Sequence, residues 1–200
     1  MHSTSRRLMS RLAALAALLV VFPVAAQDTL LIESVPTYSA GMGRADGPFT
    51  LLSLRDGALV VAPDASSRAD SASTSWDLGL RGTEVILNGG ESGPGGLTGA
   101  LVPMAFESVL ALPEALTADG EGACPRGAAR VVCNGSGNGW YEYASNGVQP
   151  LPDRTLVIRR PDGSAAKVRF LSYVLGDALP SGVRPRYVTL EVQPLGAEGR

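Results

Sequence analysis

This 200-residue sequence has one histidine, His2, and one lysine, Lys167. Past the N-terminal segment there is no histidine at all. That excludes Ser-His-Asp and Cys-His nucleophilic catalysis, and zinc sites built on imidazole. Schiff-base or P-loop chemistry would have to use Lys167, whose place inside a strand-like run suits neither. Charge of one sign is also missing. Seventeen basic residues face nineteen acidic ones, for a formal net charge of −2, and the arginines are scattered. Nucleic-acid binding needs clustered positive charge, so that partner is not expected. Cysteine is scarce, with only Cys124 and Cys133. Long apolar runs are absent after the N-terminus, as are internal repeats and any sustained helical period.

The N-terminus itself reads as a secretory signal over residues 1–26. Arg6, Arg7 and Arg11 form a basic region, Leu12 to Val21 an apolar one, and Val24-Ala25-Ala26 a small-residue cleavage site before Gln27. The apolar run is short of the ~20 residues that a spanning helix needs, so no transmembrane anchor is expected. No cysteine follows it to carry a lipid. Residues 27–200 are then expected to form one secreted or periplasmic domain, large enough at roughly 170 residues to bury a core. Export places Cys124 and Cys133 in an oxidising compartment, where a disulfide is the default. The alternative is a thiolate pair for a metal or haem, with no further cysteine or histidine to complete a metal site.

The rest is strand and turn. Asp28 to Ser34, Phe49 to Leu54, Ala58 to Ala62, Trp76 to Arg81 and Thr83 to Leu87 read as strands. So do Arg130 to Cys133, Trp140 to Tyr143, Arg154 to Arg160, Ala165 to Tyr173 and Tyr187 to Val192. Asp56-Gly57 predicts a two-residue hairpin and Pro161-Asp162-Gly163 a second one. Trp76, Leu78 and Leu80 alternate with Asp77, Gly79 and Arg81, which puts the three apolar residues on one core face. Gly79 and Gly82 suggest bulges or close backbone approach. Pro103 to Leu112 is the one helix candidate, with Phe106, Val109 and Leu110 at helical spacing and Pro113 as its stop. Leu195 to Arg200 reads as a frayed end. Many short strands joined by turns predict an all-β fold, an antiparallel two-sheet sandwich with one short helix.

Candidate chemistry is thin. The glycine-dense loop after Asn88 lacks the Gly-Lys-Ser/Thr ending of a phosphate loop, and no helix opens at its end. Glu84, Glu91, Glu107, Glu142 and Asp153 are carboxylates without a spacing that pairs them. Asn134-Gly135-Ser136 reads as turn chemistry. The chain is therefore not expected to be an enzyme. Lys167 is expected to lie along apolar surface with its charge in water. Asp77 and Arg81 are expected to pair or to cap neighbouring backbone.

An ordered set of motifs resembles the HmuY family, bacterial haem-binding proteins of the cell envelope. It runs from Phe49-Thr50-Leu51-Leu52-Ser53-Leu54 through Ser75-Trp76-Asp77-Leu78-Gly79-Leu80-Arg81 to Ile86-Leu87-Asn88-Gly89-Gly90 and its glycine loop. Trp140-Tyr141-Glu142-Tyr143, Thr155-Leu156-Val157-Ile158-Arg159 and Ala166-Lys167-Val168-Arg169-Phe170 follow. The resemblance implies a two-sheet β fold with a ligand cleft at one end. It also implies haem as cofactor, held by two axial side chains and passed to an outer-membrane receptor in iron acquisition. Histidine ligation is ruled out here, which leaves Met104 and Met42 as the thioether candidates. The competing expectation is an envelope module of the same fold that has lost haem and binds a protein, a glycan or another small molecule.

Overall fold

The computed structural model describes residues 28–37, 47–61, 71–177 and 186–196. The signal segment and Met42 lie outside the described residues. Eleven strands are described: β1 (Leu30–Thr37), β2 (Thr50–Leu52), β3 (Leu59–Val61), β4 (Leu78–Arg81), β5 (Glu84–Leu87), β6 (Thr98–Val102), β7 (Tyr141–Ala144), β8 (Gly147–Pro150), β9 (Thr155–Arg159), β10 (Ala165–Leu175) and β11 (Arg186–Leu195). They form three antiparallel sheets, ordered β1-β11-β10-β9-β6, β3-β2-β4-β5 and β7-β8.

The main core lies between the first two sheets. Ile32, Leu156, Ile158, Val168, Phe170, Leu190 and Val192 of the larger sheet meet Leu52, Leu78, Leu80, Val85 and Leu87 of the smaller one. This is the alternation of a sandwich, one face of each strand turned inward. One buried ion pair ties the sheets together. Arg160 donates from Nε to Asp77 Oδ1 at 2.7 Å and from Nη2 to Oδ2 at 3.1 Å. Asp77 Oδ2 also accepts from the Leu54 amide at 2.8 Å.

Several expectations are corrected. Trp76 does not join Leu78 and Leu80. It lies ahead of β4 and packs with Leu51 and Ile86 on the outer face of the small sheet. That face has room because Gly79 has no side chain; a Cβ there would sit 2.6 Å from Ile86 Cγ1. Asp77 pairs with Arg160 rather than with Arg81, whose partner is Glu84 at 2.6 Å. The Asp56-Gly57 turn is wider than two residues, closed by Ser53 and Ala58, and only Gly57 takes positive φ. Arg130 to Cys133 is not a strand, and Gly147 to Pro150 is one, paired with β7. Leu195 is not frayed; it ends β11 and is buried.

The helix expected over Pro103 to Leu112 is a single 3₁₀ turn, Phe106–Ser108, between extended Ala105 and Val109. Prolines bracket the segment, and its cap residue makes no side-chain hydrogen bond. Its carbonyls answer to another group. Lys167 Nζ donates to Phe106 O at 2.8 Å and Val109 O at 2.9 Å, and lies 4.5 Å from the Phe106 ring centroid. Lys167 is thus buried on the outer face of the large sheet, with no length left to reach water. Burial lowers its pKa.

Candidate functional site

A cleft of about 910 Å³ opens at one end of the sandwich. Its walls include the β4–β5 turn, the loop between the cysteines with Asn134 and Gly135 just past it, the β7–β8 hairpin, Phe49 ahead of β2, Tyr173 of β10 and Arg186 at the start of β11. The β4–β5 turn is tight because Gly82 supplies positive φ at its first central position. The cysteine loop is closed by a Cys124–Cys133 disulfide with Cα atoms 5.4 Å apart. That bears out the disulfide and removes the thiolate-ligand alternative.

A second device, unseen in the sequence, pins the same loop. Asp119 is fully buried. Its Oδ1 accepts from the Val131 amide at 2.9 Å, and its Oδ2 from Leu87 N at 3.0 Å and Ser92 Oγ at 2.7 Å. One carboxylate thereby joins β5, the glycine loop and the inner end of the cysteine loop. The glycine loop itself is tightly folded around buried Asn88. That side chain donates to Ser73 O at 3.0 Å and Trp76 O at 2.8 Å, and accepts from Gly95 N at 2.8 Å. Its glycines let backbone pass close: a Cβ on Gly90, at φ +58°, would lie 1.9 Å from Asp119 O.

The cleft combines aromatic surface with positive charge. Tyr141, Tyr143 and Tyr173 line it together with Arg81, Arg126, Arg130 and Arg186, against one carboxylate, Glu84. Glu84 is already neutralised by Arg81, whose guanidinium also lies 4.3 Å from the Phe49 ring centroid. Arg126, Arg130 and Arg186 form no ion pair among the described residues. The cleft thus carries four arginines against one carboxylate, in a chain of net charge −2.

The tyrosines differ in what they offer. Tyr141 is buried, and its hydroxyl donates to Asn134 Oδ1 at 3.2 Å while accepting from Thr83 Oγ1 at 3.2 Å. Burial raises its pKa. Tyr173 is pushed up to about 12 by burial. Both are held as neutral phenols. Tyr143 is exposed, its ring set edge-on to Tyr141 at 5.5 Å. Trp140 lies beneath, stacked on Phe170 at 4.2 Å and donating from Nε1 to Thr83 O at 3.0 Å.

The chain is similar to HmuY-like proteins of known structure. An HmuY-like heme binding protein from Bacteroides vulgatus is 15% identical, with a TM-score of 0.47 over 88% of this chain and 96% of its own. The apo HmuY analog of Tannerella forsythia is 15% identical, with a TM-score of 0.37 over 84% and 96%. A Bacteroides fragilis protein described as a lipoprotein is 13% identical, with a TM-score of 0.45 over 88% and 94%. No protein-family model and no curated protein matches the chain.

Of the thioether candidates, Met104 lies just past β6. It is 44% exposed and is not among the residues lining the cleft. Met42 lies outside the described residues. Among the described residues no group of three or more His, Cys, Asp or Glu side chains is placed to hold a metal, and no helix is long and apolar enough to cross a membrane. The cleft arginines escaped the sequence reading because they stand far apart in the chain. The one available signal was the pair Arg126 and Arg130 inside the cysteine loop.

Proposed function

We propose that this is an exported, non-catalytic binding protein of the cell envelope, and that its cleft takes a tetrapyrrole such as haem or a related porphyrin. The observation that carries the reading is the cleft: about 910 Å³, walled by three tyrosines and by three arginines that have no carboxylate partner among the described residues. That volume falls in the range of small-molecule sites, and mixed apolar and polar walls are their usual make-up. A planar ring suits the tyrosine faces. The acid groups of a porphyrin suit the arginines.

The lining residues fit the ring and its acid groups, and they do not fit the iron. They include no imidazole and no thioether, and two of the three phenols are held neutral. The two thioethers left to test as axial ligands are Met42, outside the described residues, and Met104, which does not line this cleft. Haemin titration of the purified protein tests the reading: a Soret shift saturating at one equivalent is expected. Flat curves with both oxidised and reduced haem would remove haem as the ligand. If the shift survives Met104→Ala, Met104 is not an axial ligand; the same comparison applies to Met42→Ala.

The missing iron ligand favours a second reading, an envelope module of the same architecture that binds a protein, a glycan or another small molecule. Capture from native envelope of a defined partner with no tetrapyrrole bound would support it over the first. An outer-membrane receptor belongs to the first reading, as the acceptor of the carried ring.

A further inference from the structure

The cysteine loop is held from both ends. The disulfide closes it, and Asp119 fixes the Val131 amide next to Arg130. The backbone of Arg130 is therefore set, and only its side chain is free to respond. That side chain is half-buried and lines the cleft. Its Nη1 is buried and has no hydrogen-bond partner, the one such side-chain atom among the described residues. A guanidinium N–H shut away from both water and an acceptor is unfavourable, and a small swing into the cleft relieves it when an anion arrives. Among the described residues no carboxylate pairs with it, and the one that lines the cleft, Glu84, is engaged by Arg81.

We propose that Arg130 is the acid-group anchor of the cleft: the ligand carries a carboxylate that pairs with this guanidinium, and the ring is recognised by its acid groups rather than by a metal at its centre. This rests on the tetrapyrrole reading above. Arg126 and Arg186 supply the surrounding field. Arg126 is exposed, so its contribution is screened and smaller.

The probes are metal-free protoporphyrin and its dimethyl ester, which keeps the ring and removes both charges. Quenching of tryptophan fluorescence reads the binding, since Trp140 lies under the cleft. Wild-type protein is expected to bind the free acid at least about tenfold more tightly than the ester, the range of one charge-assisted pair. Arg130→Met is expected to lower acid affinity to that of the ester while leaving the ester unchanged, and Arg126→Gln to lower it less. Unchanged ester binding by Arg130→Met also shows that the variant is folded. Should that variant fail to fold, the wild-type acid-to-ester ratio and Arg130→Lys, which keeps the charge but not the fork, decide the matter. Equal binding of acid and ester by the wild type, or an unaltered ratio in Arg130→Met, overturns the anchor and leaves the tetrapyrrole reading standing. Binding of neither porphyrin overturns the tetrapyrrole reading and the anchor with it.

Discussion

Replacing Arg160 by methionine removes one half of the ion pair that joins the two sheets. Arg160 and Asp77 are 7% and 8% exposed at the side chain, so solvent does little to screen them. In Arg160→Met, Asp77 keeps the Leu54 amide but loses both guanidinium bonds. Leaving one charge of a buried pair alone costs about 3–5 kcal/mol. Asp77→Ala strands the guanidinium instead and also orphans the Leu54 amide, a further cost of about 1–3 kcal/mol. In the double variant no charge is stranded. Only the Leu54 amide is left, and methionine fills much of the arginine volume. The double variant is therefore expected to be more stable than Asp77→Ala alone, and to lose clearly less than the sum of the two single variants. Urea unfolding followed by tryptophan fluorescence measures all three. For a chain of this size, a loss of about 4 kcal/mol lowers Tm by roughly 10 °C. Losses below about 1 kcal/mol in each single variant, combining additively, would refute the picture of a desolvated clamp.

Four further outcomes are expected. Cys124→Ser/Cys133→Ser should lose about 2–3 kcal/mol of stability by the chain-entropy argument. It should also weaken protoporphyrin binding, because the loop carrying Arg126 and Arg130 loses its closure; unchanged affinity would show that Asp119 alone holds the wall. Tyr173 ionises near pH 12 in the fold against 10 in the open chain, so its contribution is fully present below pH 10 and is lost between pH 10 and 12. Unfolding free energies across that window should fall less steeply in Tyr173→Phe. Lys167→Met leaves Val109 O without its donor, while Phe106 O keeps the Val109 amide at 3.3 Å; the cost is about 1–3 kcal/mol, and hydrogen exchange should quicken in residues 103–110 ahead of the sheets. Gly90→Ala puts a Cβ against Asp119 O at positive φ, so it should lower both yield and Tm, whereas Gly137→Ala, which meets nothing, should cost only its backbone strain.

Much of the β architecture was legible because its signals are local. The Pro161-Asp162-Gly163 hairpin forms as read, with Gly163 at positive φ and Arg160 N bonded to Ser164 O at 2.9 Å. The strands Thr155–Arg159 and Ala165–Leu175 on either side of it follow the alternation of their residues. Errors arose where a distant group decided the outcome. Phe106, Val109 and Leu110 have helical spacing, yet Lys167, from another strand, takes the carbonyls of that segment. Trp76 keeps step with Leu78 in the sequence, yet the gap over Gly79 draws it to the opposite face.

Composition and order alone settled that imidazole chemistry is missing from the chain after its first residues, and that short strands and turns dominate. Alternation and glycine placement act between neighbours, so a linear reading reaches them. The cleft is of another kind. Arg81, Arg126, Arg130 and Arg186 converge only because two sheets, a disulfide and one buried aspartate bring their backbones to the same end of the sandwich. Charge at a point depends on distance in space, and that distance is set by packing between segments that hold no mark of one another in sequence.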